Sequence, residues 1–132
     1  MLLGFDPGRD KCGIAVADAA GMLAEHQVVA AAAAMTTVAA WRSRYAITRL
    51  VMGNQTTAQQ WQTRLAQEFP DLPITLVDER NSSLEARDRY WQLYPPRGLT
   101  RLLPPGMRLP PRPVDDIVAI LLIERYLAIQ RP

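Results

Sequence analysis

The sequence predicts a mixed α/β fold, with one five-stranded sheet carrying an antiparallel meander plus parallel strands and helices on both faces. Three observations carry that prediction. Three apolar, strand-like runs follow one another near the start with only turn-sized gaps between them. Two further short apolar runs, Arg49 to Gly53 and Ile74 to Val77, are each flanked by helix-like stretches, the alternation that builds parallel pairing. The last stretch keeps a helical rhythm of apolar residues.

Taken in order, Leu2 to Phe5 is a short buried strand ended by the turn pair Pro7-Gly8. Cys12 to Ala17 is the second strand, Gly21 offers a hairpin turn, and Glu25 to Ala31 is the third. Thr36 or Thr37 caps a helix to about Ile47, with Val38, Trp41 and Tyr45 on its apolar face. Leu50-Val51-Met52 is the apolar centre of the fourth strand. Thr56 and Thr57 start a helix to about Phe69, with Trp61, Leu65 and Phe69 on one stripe. Pro70 and Pro73 precede the strand Ile74 to Val77. Ser82 or Ser83 caps the next helix, through Tyr90 to Leu93, and a capping box forms if Ser82 leads. Seven of the eleven prolines fall in residues 95–113, so no regular structure is expected there. Val114 to Ile129 is the clearest helix, with Ile117, Ile120, Leu121, Glu124 and Leu127 in register and two aspartates at its positive end.

The 132 residues suit one domain, 1–132, with 95–113 as a Pro/Arg-rich loop within it. Hydrophobic residues at 48% and charged residues at 21% exclude general disorder. The lone Cys12 has no partner for an internal disulfide, and no basic leader or long apolar span is evident, so the cytoplasm is the expected compartment. Net charge is only +2, but its distribution is uneven. No acid lies between Asp88 and Asp115, where Arg89, Arg97, Arg101, Arg108 and Arg112 all fall, and Lys11 is the only lysine. Arginine's planar fork suits phosphate oxygens. A solvated arginine-biased loop accounts for the same residues equally well.

Three acids stand where strand ends and helix starts bring side chains to a shared crevice: Asp6 after the first strand, Glu79 after the fifth, and Asp115 opening the last helix. Carboxylates gathered there repel by roughly 4 kcal/mol per pair at about 4 Å and an effective dielectric of ~20. A divalent cation offsets this, and an all-oxygen donor set suits Mg2+ or Mn2+ better than zinc. Two such ions roughly 4 Å apart would activate water for in-line attack on a phosphodiester. Each acid also has a plainer reading: Asp6 as a turn former, Glu79 paired with Arg80 or Arg87, and Asp115-Asp116 as a helix cap.

The order of motifs is more specific than any one of them. Leu3-Gly4-Phe5-Asp6-Pro7-Gly8 with Cys12-Gly13-Ile14-Ala15-Val16-Ala17-Asp18, then Val51-Met52-Gly53, Asp78 to Ala86, and Val114 to Ile123, resembles the YqgF family (also called RuvX) of RNase H-like nucleases, over almost the whole chain. The resemblance implies an RNase H-like fold, magnesium-dependent hydrolase chemistry, and Asp6, Glu79 and Asp115 as catalytic and metal-holding acids. By similarity to the family's register, in which the apolar run starts one residue beyond the neighbour of its aspartate, the resemblance implies Asp115 rather than Asp116. Family members are linked to trimming the 5′ end of precursor 16S ribosomal RNA in ribosome biogenesis and, through similarity to RuvC, to branched DNA such as the Holliday junction. The chain departs from the family at Asn54-Gln55-Thr56-Thr57, where a Leu-Pro turn is usual.

On this reading the partner is nucleic acid, precursor rRNA or branched DNA, with no membrane, and Arg80, Arg97, Arg101, Arg108 and Arg112 are the candidate backbone contacts. A homodimer is compatible with the sequence. A non-catalytic nucleic-acid-binding module of the same fold is the main alternative. A phosphotransferase of the actin and sugar-kinase type needs two such domains, more than this length supplies. Trp41 and Trp61 lie on apolar helix faces and are expected in the core, Trp91 is left open, and His26 is assigned no role.

Overall fold

The computed structural model describes residues 1–55 and 57–130, with Pro105 described in its backbone only. Thr56, one of the two threonines expected to start the second helix, lies outside the described residues. The chain runs β1 (Leu2–Asp6), β2 (Lys11–Ala17), β3 (Leu23–Ala30), α1 (Ala34–Arg44), β4 (Arg49–Gly53), α2 (Ala58–Glu68), β5 (Ile74–Val77), α3 (Ser82–Leu93) and α4 (Asp115–Gln130). Every expected strand is present.

The strands form one five-stranded sheet in the order β3-β2-β1-β4-β5. The meander pairs β1 with β2 and β2 with β3 antiparallel, while β1 with β4 and β4 with β5 are parallel. β1 is therefore central, and its carboxyl end emerges beside those of β4 and β5. In β1 the alternation of the pleat sends Leu3 and Phe5 to one face and Leu2 and Gly4 to the other.

Each face has its own apolar cluster. On one, Phe5, Leu50 and Met52 pack with Trp41 of α1 and with Trp61 and Leu65 of α2, the Phe5 and Trp61 rings lying 5.3 Å apart. Both tryptophans are buried, as the helical stripes required. On the other face, Ala15 and Val51 meet α4. The expected stripe on α4 understates its burial, because all residues from Asp116 to Ile123 are buried. A helix apolar on every side needs cover on every side. The sheet supplies one wall, and α3 another through Ala86 and the Arg89–Glu124 ion pair.

The expected helix caps are corrections. α1 starts at Ala34 after a 3-10 turn over Ala31–Ala33, and the Thr37 hydroxyl donates back to the Ala33 carbonyl rather than capping. The alanine run extends the helix past the threonines toward its N-terminus, since alanine has the strongest helix propensity. α1 also ends at Arg44, earlier than Ile47, which is buried after the chain has turned extended at Tyr45. No capping box opens α3. Asn81 precedes it with φ 61°, a left-handed conformation asparagine tolerates, and makes no side-chain cap. Residues 95–113 carry only two 3-10 turns, Gly98–Leu102 and Pro105–Met107. Among the described residues no helix is long and apolar enough to cross a membrane.

Candidate active site

Asp6 ends β1, where its Cα partner across the ladder is Gly13 of β2. A Cβ built on Gly13 would stand 1.8 Å from the Asp115 carbonyl oxygen, so the first turn of α4 rests directly on bare backbone. Gly4 makes the same kind of contact further along, with a Cβ there falling 2.3 Å from the Ala119 carbonyl. These two glycines form a trough in which α4 lies closer to the sheet than any side chain would permit. The approach puts the Asp115 carboxyl within hydrogen-bonding reach of Asp6.

Burial, reinforced by the charges of Glu79 and Asp115, raises the Asp6 pKa from 3.8 to about 8. At neutral pH Asp6 then keeps its proton. Glu79 reaches the group from the loop after β5. It is only 3% exposed, and its Oε1 accepts a hydrogen bond from the Gln55 backbone N–H at 2.9 Å. Its carboxyl lies against Gly53, whose missing side chain leaves the space it fills, since a Cβ there would stand 2.4 Å away. Burial raises the Glu79 pKa, while the Gln55 bond and the Arg125 charge pull it down. The surface pairing of Glu79 with Arg80 or Arg87 does not form.

Arg125 is a positioning residue that sequence reasoning missed. From α4 its guanidinium donates to the carbonyl oxygens of Asp78, at 2.7 Å, and Arg80, at 2.9 Å, and it pairs with Glu85 at 3.0 Å. It thereby clamps both sides of Glu79. No sequence signal links residues 45 positions apart through a backbone carbonyl. Gln55, also missed, contributes only its backbone N–H, so the departure from the family motif at this position leaves that contact available.

His26, given no role from sequence, contacts the acidic end of α4. Its Nδ1 lies 2.6 Å from Asp116 Oδ2, while Asp116 Oδ1 accepts from Arg112 at 2.9 Å and from the Ile117 N–H at 3.0 Å. Both Asp116 oxygens are thus engaged, and Asp115 is the member of the pair facing Asp6. Burial pushes the Asp116 pKa up, but the His26 and Arg112 bonds outweigh it and hold it below the ordinary value. Stability from such a group is present above the unfolded pKa and lost as pH falls through the lowered folded one. We expect Asp116→Ala to cost about 2–3 kcal/mol in urea unfolding at neutral pH, with the deficit shrinking as pH falls below the ordinary carboxylate range. A variant as stable as the parent at neutral pH would contradict this.

The candidate phosphate-contacting arginines are dispersed. The Arg112 guanidinium is tied to Asp116 and lies 5.3 Å from the Tyr90 ring centre. Arg108 donates to the carbonyls of Leu103 and Arg101 within its own loop, and the Trp91 indole N–H donates to the Arg108 carbonyl at 3.0 Å. Trp91 therefore anchors the loop. Arg80, Arg97 and Arg101 are exposed.

A family model described as RuvX, Holliday junction resolvase, matches residues 1–128. A protein of Psychrobacter sp. (strain PRwf-1) bearing the name "Putative pre-16S rRNA nuclease" is 38% identical over 65 residues, or 49% of this chain. The matched stretch is 30% of that protein's length.

Proposed function

Since this chain belongs to the RuvX family and has its RNase H-like α/β fold, we propose that it is a divalent-metal-dependent nuclease that trims the 5′ end of precursor 16S rRNA. The convergence of Asp6, Glu79 and Asp115 at the carboxyl edge of β1, β4 and β5 supports this reading above all else. The name of the Psychrobacter relative favours ribosomal RNA as substrate. The family description favours branched DNA, which stands as the second reading.

The donor set fits Mg2+ or Mn2+ in its chemistry: hard carboxylate oxygens, with the Asp6 carboxyl held protonated by burial and by its two acidic neighbours. As they stand, no three or more His, Cys, Asp or Glu among the described residues are arranged so as to hold a metal ion. The carboxylates would therefore have to draw inward around the cation. Asp6, Glu79 and Asp115 would hold it, and it would supply Lewis-acid charge and an activated water. The protein's own part is positional. Gly13 lets Asp115 approach Asp6, and Gly53, the Gln55 N–H and Arg125 fix Glu79. Asp6 carries a proton that must leave before its oxygens can ligate, so activity should rise with pH toward about 8.

The deciding experiment offers 5′-extended precursor 16S rRNA and a four-way DNA junction side by side, with Mg2+ or Mn2+. Cleavage of the RNA alone supports the first reading, and cleavage of the junction alone the second. Cleavage of neither leaves a non-catalytic nucleic-acid-binding module as the better account.

A further inference from the structure

A second opening lies around the edge of the sheet from the acids, on the face covered by α1 and α2. It is a cavity of about 370 Å3. Its wall is one stripe of α2, with Thr57 just before the helix and Gln60, Trp61 and Arg64 following at helical spacing. Gly8 and Arg9 of the β1–β2 turn face that stripe, two and three residues after Asp6. Both arginines are exposed, and among the described residues neither makes an ion pair, whereas Arg42, Arg44, Arg89, Arg112 and Arg125 all do. The Arg64 guanidinium sits 4.6 Å from the centre of the Trp61 ring, which holds its stem while leaving N–H groups free to donate.

The Cys12 thiol, buried at the start of β2, lies within electrostatic reach of Asp6, Asp115 and Arg64 together. A polyanion whose reacting phosphate sits at the acids needs its neighbouring phosphates met by positive charge, or those acids repel it. On the acidic face Arg112 and Arg125 are already engaged with protein oxygens, which leaves Arg80, exposed beside Glu79, as that face's own contact. Among the described residues, Arg9 and Arg64 are unpaired guanidiniums beside the same sheet edge, and the start of α2 adds backbone N–H groups of favourable polarity.

We propose that Arg9 and Arg64, with Gln60 and Thr57, form a phosphate-binding cleft that holds the sugar-phosphate backbone of the substrate strand to one side of the bond being cut. The inference rests on the nuclease reading and deepens it. The strand crosses the carboxyl edge of the sheet at the Gly8–Arg9 turn, with the acids on one face and the cleft on the other. Gly8 suits that crossing, because a Cβ there would stand 2.1 Å from the Lys11 carbonyl and would disrupt the tight turn that presents Arg9.

The test uses the full chain and fluorescein-labelled single strands of RNA and of DNA, with affinity read by anisotropy across a salt series without divalent cation. Each lost phosphate contact lowers the slope of log affinity against log salt by roughly 0.7 on a single strand. Arg9→Gln with Arg64→Gln should lower it by about 1.4 and weaken binding about tenfold at low salt. Arg44→Gln, which removes the same charge from a residue paired with Glu25, should leave the slope unchanged. Thermal unfolding confirms that each variant is folded. Parental binding with an unaltered slope in the double variant would overturn the cleft and leave the nuclease reading standing. An equal change in Arg44→Gln would also overturn the cleft, reducing the effect to net charge. No binding by the parent, together with no cleavage, would remove both.

Discussion

Asp6→Asn should abolish cleavage, by a factor on the order of a thousand or more, and at the same time make the protein more stable at neutral pH. The two effects have one cause. Asp6 is held half-buried against Asp115 and within reach of Glu79, which raises its pKa to about 8. For an acid shifted upward, the unfolded chain releases its proton near pH 3.8 while the folded chain keeps it. Between those values folding becomes less favourable as pH rises, and above about 8 the penalty is complete. Asparagine carries no such penalty and still fills the space. The melting temperature of Asp6→Asn should exceed the parent's by several degrees at pH 8, corresponding to about 1–3 kcal/mol, with the gap closing toward pH 4. If Mn2+ is held as proposed, it should raise the parent's melting temperature more than the variant's. A variant that cuts at the parental rate would remove the proposed chemistry. One that loses activity and also stability would point instead to a structural role for Asp6.

Gly13→Ala should be among the most damaging single-methyl changes in the chain. The added carbon would lie 1.8 Å from the Asp115 carbonyl oxygen and 2.1 Å from its carbon, both backbone atoms that no rotamer change can move. Either α4 lifts from β2 or β2 is pushed away, and both break the burial of Ile117 to Ile123. Overpacking of this kind costs typically 1–3 kcal/mol and occasionally more. Here it should reach about 3 kcal/mol in urea unfolding. Any population that still folds should cut poorly, because Asp115 rides on the displaced turn. Gly21→Ala provides the contrast. Its φ of 88° makes alanine strained, yet the nearest atom is the Leu127 Cδ1 at 3.6 Å, far from the acids. It should cost about 1 kcal/mol and leave activity untouched. Equal losses of activity in the two variants would show that the contact between α4 and β2 does not position the site.

Much of this architecture is legible in the sequence. Strands such as Leu50-Val51-Met52 and Ile74 to Val77 are short apolar runs between helix-like stretches, and no other local structure buries them as well. Trp41 and Trp61 declare themselves by helical spacing. The helix starts are not legible locally, because Thr36, Thr37 and Ser82 are good caps in isolation, whereas the start of a helix is set by where packing begins. Ala34 is fully buried, and Asn81 turns the chain through a left-handed residue instead. The three acids were singled out by their places at element ends, and the structure does bring Asp6, Asp115 and Glu79 toward one another.

Local pattern and chemistry determined, from the sequence alone, which elements form, which faces are apolar, and which side chains have the right chemistry. Only the folded chain decided how close those side chains come and what restrains them. The glycine trough under α4, the Arg125 clamp on the Glu79 loop, the His26–Asp116–Arg112 tether and the pairing of Arg9 with Arg64 across a cleft all join residues distant in the chain. The cleft depends on how α2 seats against the β1–β2 turn, and the other contacts on the height of α4 above the sheet, set by the absence of a Cβ at Gly4 and Gly13. No period or propensity along the chain encodes that height, because it is a property of two packed surfaces rather than of either segment.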